Sequence, residues 1–238
     1  VLTQYPVNNL LPERTKSWEV GMNFRFLKDF NFDATWYQAD TYNQTFNPNV
    51  PVGKYSKIYV QTGKIRNWGM EFALGFDHTW NNFSWASNMT YSFNKNVIKE
   101  LGRNAYNPVT GEKLDIDQLV MTDNQVGATR FILREGGTMG DLYSMVDLQR
   151  DHNGNIYINP EGNVSTVSVA DKPIKLGSVL PKGNLAWSNS FTWKNLTASF
   201  MLSARFGGVV YSRTQAVLDY YGVSEATGQA RDRGFVSI

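Results

Sequence analysis

The sequence predicts an all-β fold in which about six antiparallel strands form a segment of a transmembrane β-barrel. Three features lead to this prediction. Apolar and polar residues alternate over runs of about ten residues. Short polar turns join some of these runs, whereas other connections are long. Large aromatic residues stand near both ends of the runs, and aromatic residues make up 14% of the chain, as expected where strands meet a membrane surface.

The alternation has a period of two, which gives a strand one apolar and one polar face. It predicts strands near residues 17–26, 31–42, 66–80, 82–94, 184–194 and 196–211. From Trp68 to Trp80 is twelve residues. That length is roughly 40 Å along a strand and, at a tilt of about 40°, roughly 30 Å across a bilayer. The runs are therefore long enough to cross a membrane.

The connections differ in length at the two ends of the predicted strands. Residues 27–31, 81–82 and 194–195 contain Asn, Asp and Lys and suit tight hairpin turns. The other connections are 43–65, 95–183 and 212–238. In an outer-membrane barrel, short turns face the periplasm and long loops face outwards. Six strands are too few to close such a barrel, which needs at least about eight, so we expect them to be part of a larger one.

Composition argues against several classes of function. The net charge is +2, with charged residues at 18%, so we expect no nucleic-acid partner. Cysteine is missing from the sequence, which excludes disulfides and thiolate metal sites. The only histidines are His78 and His152, and neither belongs to a recognisable catalytic arrangement. We therefore expect no catalytic residue, no metal site, no cofactor and no enzyme activity.

Two loop motifs admit more than one interpretation. Residues 151–155 (DHNGN) offer oxygen ligands in the order of a calcium loop, or an Asn-Gly hairpin turn. The twelfth position of a calcium loop would be Gly162 instead of Glu, which favours the hairpin. Residues 135–140 (EGGTMG) lack the Lys-Ser/Thr of a phosphate loop and are expected to form a flexible turn.

Charged and aromatic residues supply the candidate functional positions. Charged residues on the polar faces of the strands cannot face lipid cheaply and are expected to line the barrel lumen, paired with each other or with a plug. They are Glu19, Arg25, Asp33, Glu71, Asp77 and Arg205. Aromatic residues of the outer loops are candidates to stack on sugars or bury peptide side chains, with loop packing as the alternative. They are Tyr42, Phe46, Tyr55, Tyr59, Tyr106, Tyr143, Tyr220 and Tyr221.

Three stretches, in matching order, resemble SusC-family TonB-dependent importers of bacterial outer membranes. Residues 11–21 (LPERTKSWEVG) resemble the family's entry into a barrel strand, and residues 63–71 (GKIRNWGME) resemble another strand opening. The third match combines residues 176–182 (LGSVLPK) with residues 205–211 (RFGGVVY). Together they cover most of the chain, although none of them identifies a ligand.

The resemblance implies a 22-stranded barrel in the bacterial outer membrane, contacting outer-membrane lipid and closed by a plug domain on which TonB pulls. It also implies a SusD-like surface lipoprotein that helps to capture glycan or peptide. We therefore expect uptake of oligosaccharides. The alternatives are a peptide importer of the same family, a siderophore-type TonB-dependent receptor, and a soluble carbohydrate-binding or adhesion β-domain.

Overall fold

The computed structural model describes residues 11–46, 60–106, 111–126, 129–161 and 164–233. Its elements, in chain order, are β1 (Arg14–Phe26), β2 (Phe30–Phe46), β3 (Val60–Trp80), β4 (Phe83–Glu100), β5 (Gly102–Tyr106), β6 (Lys113–Ile116), β7 (Gln118–Val126), β8 (Thr129–Arg134), β9 (Asp141–Ser144), β10 (Val146–Leu148), β11 (Thr166–Ser168), β12 (Ile174–Ser178), β13 (Gly183–Trp193), β14 (Leu196–Phe206), α1 (Arg213–Tyr220) and α2 (Glu225–Arg233).

Six long strands form one antiparallel sheet in the order β1-β2-β3-β4-β13-β14. The predicted all-β, antiparallel fold class is confirmed. The strands differ in extent from the sequence-based bounds: β3 begins at Val60 and β4 continues to Glu100, whereas β14 ends at Phe206. The extra length of β3 and β4 lies in segments for which the sequence predicted loops.

Residues that face each other across neighbouring strands share a face of the sheet, so the register defines two faces. Val20, Trp36, Met70 and Phe93 are aligned in this way. We call their side the apolar face. Its apolar residues are Trp18, Val20, Met22, Phe24 and Phe26 of β1, Phe30, Phe32, Ala34 and Trp36 of β2, Trp68, Met70, Phe72, Leu74, Phe76 and Trp80 of β3, Phe83, Trp85, Met89, Tyr91 and Phe93 of β4, Leu185, Trp187, Phe191 and Trp193 of β13, and Leu196, Ala198, Phe200, Leu202, Ala204 and Phe206 of β14. The opposite, polar face is rich in Ser, Thr, Asn, Gly and Ala.

Polar side chains also occur on the apolar face, at Ser87 and Asn189. The indole nitrogen of Trp187 donates to Ser87 Oγ at 3.0 Å, and that of Trp85 donates to Asn189 Oδ1 at 3.0 Å. These two tryptophans therefore supply hydrogen-bond donors for polar side chains of the apolar face, in addition to apolar area.

Three tight turns lie at one end of the sheet. Their first residues have positive φ: Leu27 at 50°, Asn81 at 48° and Lys194 at 53°. Positive φ at this position lets a short turn follow the right-handed twist of the strands it joins. The backbone nitrogen of Lys194 donates to the carbonyl oxygen of Asn82 at 2.8 Å, which connects two of these turns. At the same end, His78 Nδ1 lies 2.8 Å from Asp29 Oδ2.

Two compact units make up the described chain. One contains the described parts of residues 1–120, 132–141 and 180–208, including the six-stranded sheet. The other contains the described parts of 121–131, 142–179 and 209–238, with short strands and both helices. Among the residues described, no helix has both the length and the apolar character needed to span a membrane.

Buried apolar residues of the first unit are concentrated at the end of the sheet opposite the tight turns. Ile98, Leu101 and Ile132 are at most 1% exposed. Most residues along the sheet's long strands are, in contrast, at least partly exposed, and every residue of β1 is exposed. The described sheet therefore presents two accessible faces, with a packed core only near the end opposite the tight turns.

Candidate functional site

All six predicted lumen-facing charged residues lie on the polar face. Register pairs Glu19 with Tyr37, Asp33 with Ala73, and Glu71 with Ser92, all on the same side of the sheet. The other three occupy equivalent positions: Arg25, Asp77 and Arg205. Whether this side lines a lumen stays a prediction, because that depends on how the whole barrel closes.

The polar face carries four carboxylates and two guanidinium groups among these six residues. Asp33 accepts a hydrogen bond from Asn23 Nδ2. Within the described ranges, no ion pair joins any two of the six. A shallow depression of about 330 Å³ lies between Asp33 and Glu71, and its floor includes Thr35, Ala73, Thr90 and Ser92. The floor of this surface consists mostly of small polar side chains, and carboxylates outnumber guanidinium groups among its charged residues.

A bidentate ion pair lies beyond the aromatic part of the apolar face. The Arg66 guanidinium donates to both carboxylate oxygens of Asp40, at 2.6 and 2.8 Å. The Asp40 side chain is only 13% exposed. Hydrogen bonding from Arg66 is the main reason why the pKa of Asp40 lies below its ordinary value. Both residues continue the alternation of the apolar face, so the apolar character of this face ends at the level of the Asp40–Arg66 pair.

The Asp40→Asn variant is expected to lose about 1–2 kcal/mol of unfolding free energy at neutral pH. Because the pKa of Asp40 is lowered in the folded state, the charged pair stabilises above the unfolded-state pKa. That contribution is lost as the pH falls through the lower, folded-state pKa. Denaturant unfolding of wild type and variant in lipid vesicles should therefore differ at neutral pH and converge in strong acid. A difference that persists unchanged in strong acid would contradict the role of this carboxylate.

The predicted aromatic contacts divide into three groups. Tyr55 and Tyr59 lie outside the described residues, as does the side chain of Tyr106, the last residue of β5. Phe46 is 7% exposed and packs over Gly63, where an added Cβ would come 2.3 Å from the Phe46 ring. Phe46 and Tyr143, the latter at 5% exposure, are both buried in the structure, and their assignment as ligand contacts stays a prediction.

The other three aromatic candidates are accessible but lie in different surroundings. Tyr42 is on the same face as Trp18, beyond its aromatic part, with the ammonium groups of Lys16 and Lys64 over its ring. Tyr220 and Tyr221, at the end of α1, are 84% and 71% exposed. Their rings meet edge to face, with centroids 5.2 Å apart. These two tyrosines form the most exposed aromatic pair among the candidates.

The Gly-rich turn, which the sequence predicted to be flexible, forms hydrogen bonds with the end of β4 and with the Asp141 carboxylate. Gly136 N donates to Ile98 O at 2.8 Å, and Ile98 N donates to Gly137 O at 2.9 Å. The Asp141 carboxylate, 1% exposed, accepts from the backbone nitrogen of Thr138 at 3.1 Å and from its hydroxyl at 2.7 Å. A buried carboxylate and the end of β4 thus satisfy polar groups of the turn, and its flexibility stays a prediction.

A second ion pair connects this turn to the start of β5. Arg103 Nε donates to Glu135 Oε1 at 3.2 Å, and its terminal nitrogen contacts the second carboxylate oxygen. The backbone nitrogen of Leu101 donates to the same carboxylate at 3.3 Å. The Arg103 hydrogen bonds hold the pKa of Glu135 below its ordinary value. The sequence offered no signal for this pair, because its members are far apart along the chain.

The Asp151 loop forms the hairpin turn. Asp151 N donates to Asn155 O at 2.8 Å, and Gly154 has a φ of 85°. Asp151 Oδ1 accepts from the backbone nitrogens of Asn153 and Asn155 at 2.8 and 2.9 Å. Hydrogen bonds from Asn155 are the largest cause of the lowered pKa of Asp151. The carboxylate is thus oriented towards N–H donors of its own turn, as in an Asx turn.

Comparison with known proteins identifies the family. Residues 2–209 match the family described as TonB dependent receptor-like, beta-barrel. The chain belongs to this family. It is 27% identical over 230 residues to TonB-dependent receptor P26 of Formosa agariphila, covering 86% of this chain and 21% of that protein. It is 25% identical over 217 residues to TonB-dependent receptor SusC of Bacteroides thetaiotaomicron, covering 85% of this chain and 20% of that protein. The resemblance to SusC-type receptors is confirmed, and the chain spans about a fifth of these relatives.

Solved structures agree on the fold. The RagAB peptide transporter matches with a TM-score of 0.58 at 16% identity, covering 80% of this chain and 21% of that one. The RagAB peptide importer in its open-open state matches with a TM-score of 0.61 at 15% identity, covering 84% of this chain and 21% of that one. At such identities the likeness concerns the barrel architecture and not the ligand.

Proposed function

We propose that this chain forms part of the wall and outer loops of a TonB-dependent importer in the bacterial outer membrane. The observation that carries the proposal is the division of a long-stranded antiparallel sheet into a continuous apolar face and an acidic polar face. A lipid-facing surface paired with a hydrated lumen requires this division. Family membership supports the same assignment. Energy coupling through TonB and a plug domain is part of the proposal by family resemblance.

The first proposed substrate class is oligosaccharide, captured with a SusD-like surface lipoprotein. Its support is the sequence resemblance to SusC-type receptors. Peptide is the second candidate, favoured by the excess of carboxylates on the polar face, where Glu19, Asp33 and Glu71 would attract ammonium groups. In either case the described chain acts as a passage and not as an enzyme.

The decisive experiment is mass spectrometry of the complete receptor, purified in mild detergent from its native outer membrane. A stoichiometric surface lipoprotein with bound oligosaccharide would support the first proposal, and bound peptide would support the second. A protein that purifies alone, as a monomer and without detergent, would contradict the importer assignment and favour a soluble binding domain.

The exposed pair Tyr220 and Tyr221 supplies a residue-level prediction. Replacing both with alanine is expected to weaken ligand or lipoprotein capture by roughly tenfold or more, since stacked aromatic contacts contribute about 0.5–1.5 kcal/mol each. Binding of the purified lipoprotein and of the co-purified ligand should be measured by titration. Phenylalanine at both positions keeps the rings and should largely preserve binding. The Tyr157→Ala variant is the control, because Tyr157 is also exposed but lies away from α1 in the sequence.

A further inference from the structure

Basic residues follow directly after the aromatic part of the apolar face. On β1, Trp18 is followed outwards on this face by Lys16 and then Arg14. On β3, Trp68 is followed by Arg66 and Lys64, and Lys95 of β4 lies across from Trp68. We call this set, Arg14, Lys16, Lys64, Arg66 and Lys95, the outer basic belt. It occupies the end of the sheet opposite the tight turns.

The belt is organised around aromatic rings. The ammonium nitrogens of Lys16 and Lys64 lie 5.7 and 4.9 Å from the centre of the Tyr42 ring. Lys95 Nζ lies 6.0 Å from the centre of the Trp68 ring. Each ring attracts its cation electrostatically and limits where the long side chain can go. Two ammonium groups, contributed by β1 and β3, therefore converge on one ring of β2.

Asp40 forms two short hydrogen bonds with Arg66, and its charge also interacts at longer range with Lys64 and Lys99. In the part of the chain that is described, Lys16, Lys64 and Lys95 have no carboxylate within ion-pair distance. Asp40 thus orients Arg66 but does not neutralise the belt. Glu100 of β4 lies across from Lys64 in the register, so the five basic groups of the belt face two carboxylates and the net charge of the patch stays positive.

We infer that the outer basic belt binds the phosphate of an anionic glycolipid headgroup in the outer leaflet, with Lys16 and Lys64 over Tyr42 as its centre. The inference rests on the proposed function, which places this end of the sheet at the outer membrane surface. Compact ammonium groups suit a phosphate as point charges. The belt draws on several strand ends and is continuous with the apolar face, so acyl chains would lie along Val20, Trp36 and Met70 beneath the bound headgroup.

Native mass spectrometry of the complete detergent-purified receptor tests this, with monophosphoryl lipid A as the probe. Relative to wild type, K16Q/K64Q is expected to bind roughly thirtyfold less tightly, because each of the two lysines near an anionic lipid surface contributes about 1 kcal/mol. K16R/K64R keeps both charges and should bind as wild type does. K28Q/K194Q is the matched control, because both lysines lie in the turns of the opposite end and Lys194 also sits over a ring, that of Trp193.

Three results would overturn the inference. K16Q/K64Q could bind the lipid as tightly as wild type. Lipid A with its phosphate removed could bind as well as the phosphorylated form. Inorganic phosphate at the probe's concentration could displace the lipid, which would indicate a site for free anions. Heat-modifiable migration in gels confirms that each variant is folded. A wild-type receptor that never enters detergent micelles would contradict the proposed function itself. Failure of the proposed function can therefore be told apart from failure of the lipid-binding inference.

Discussion

Replacing Gly69 with alanine is expected to lower the free energy of unfolding by about 2–4 kcal/mol, because the position cannot accept a side chain without moving backbone. An added Cβ would lie 2.2 Å from the carbonyl oxygen of Phe93 and 2.7 Å from the Tyr37 hydroxyl. The first of these atoms belongs to the neighbouring strand of the ladder and cannot rotate away. The Tyr37 ring covers the surface that glycine leaves open.

The matched control is Gly21→Ala, another glycine on the polar face of the same sheet. Its Cβ would meet the Thr35 hydroxyl at 3.3 Å, a contact that a small side-chain adjustment relieves. Alanine there should be neutral or slightly stabilising, because it restricts the unfolded chain. Urea unfolding of both variants in lipid vesicles measures the difference. Equal stability of the two would mean that β3 and β4 are farther apart at Gly69 than the structure shows.

The alternation of apolar and polar residues predicted which side chains share a face. Successive side chains of a strand must point to opposite sides of the sheet, so the register fixes the side on which each one lies. Glu71 and Leu74 could therefore be assigned to opposite sides from the sequence alone. The tight turns could likewise be predicted from residues close together in the sequence. Asn81 and Lys194 begin short connections that need positive φ, and each of these connections lies between two long alternating runs. These parts of the fold depend on neighbouring residues and not on distant contacts.

The outer connections were harder to predict because their order comes from contacts distant in sequence. The strands between β4 and β13 are mostly three to six residues long, too short for a period of two to stand out. Asp141 holds a turn that composition alone described as flexible. Tyr143 was chosen because it is aromatic and in a loop, yet it is buried. Aromatic content identifies apolar area, and only the three-dimensional packing decides whether that area is available to a ligand.

The same periodicity leads to the second large effect, in which an arginine replaces Leu74 on the apolar face. Leu74 lies between Phe32 and Met89 in the register, near the middle of the apolar band. An arginine there is expected to cost about 2–4 kcal/mol if this face meets the bilayer midplane. The fraction of receptor that folds in vesicles, and its unfolding free energy in denaturant, measure the cost.

Two controls separate a lipid effect from general damage. Ala73→Arg places the same charge one residue away, on the polar face beside Asp33 and Glu71, and should cost much less. Gln38→Arg stays on the apolar side but at the level of Trp18 and Trp68, where the cost should fall to about 0–1 kcal/mol. A bilayer makes the loss of unfolding free energy on introducing arginine depend on the position along the apolar face, and causes little loss on the polar face. A soluble sheet packed on a protein core would penalise Leu74→Arg without this dependence on depth, and that result would refute the membrane assignment.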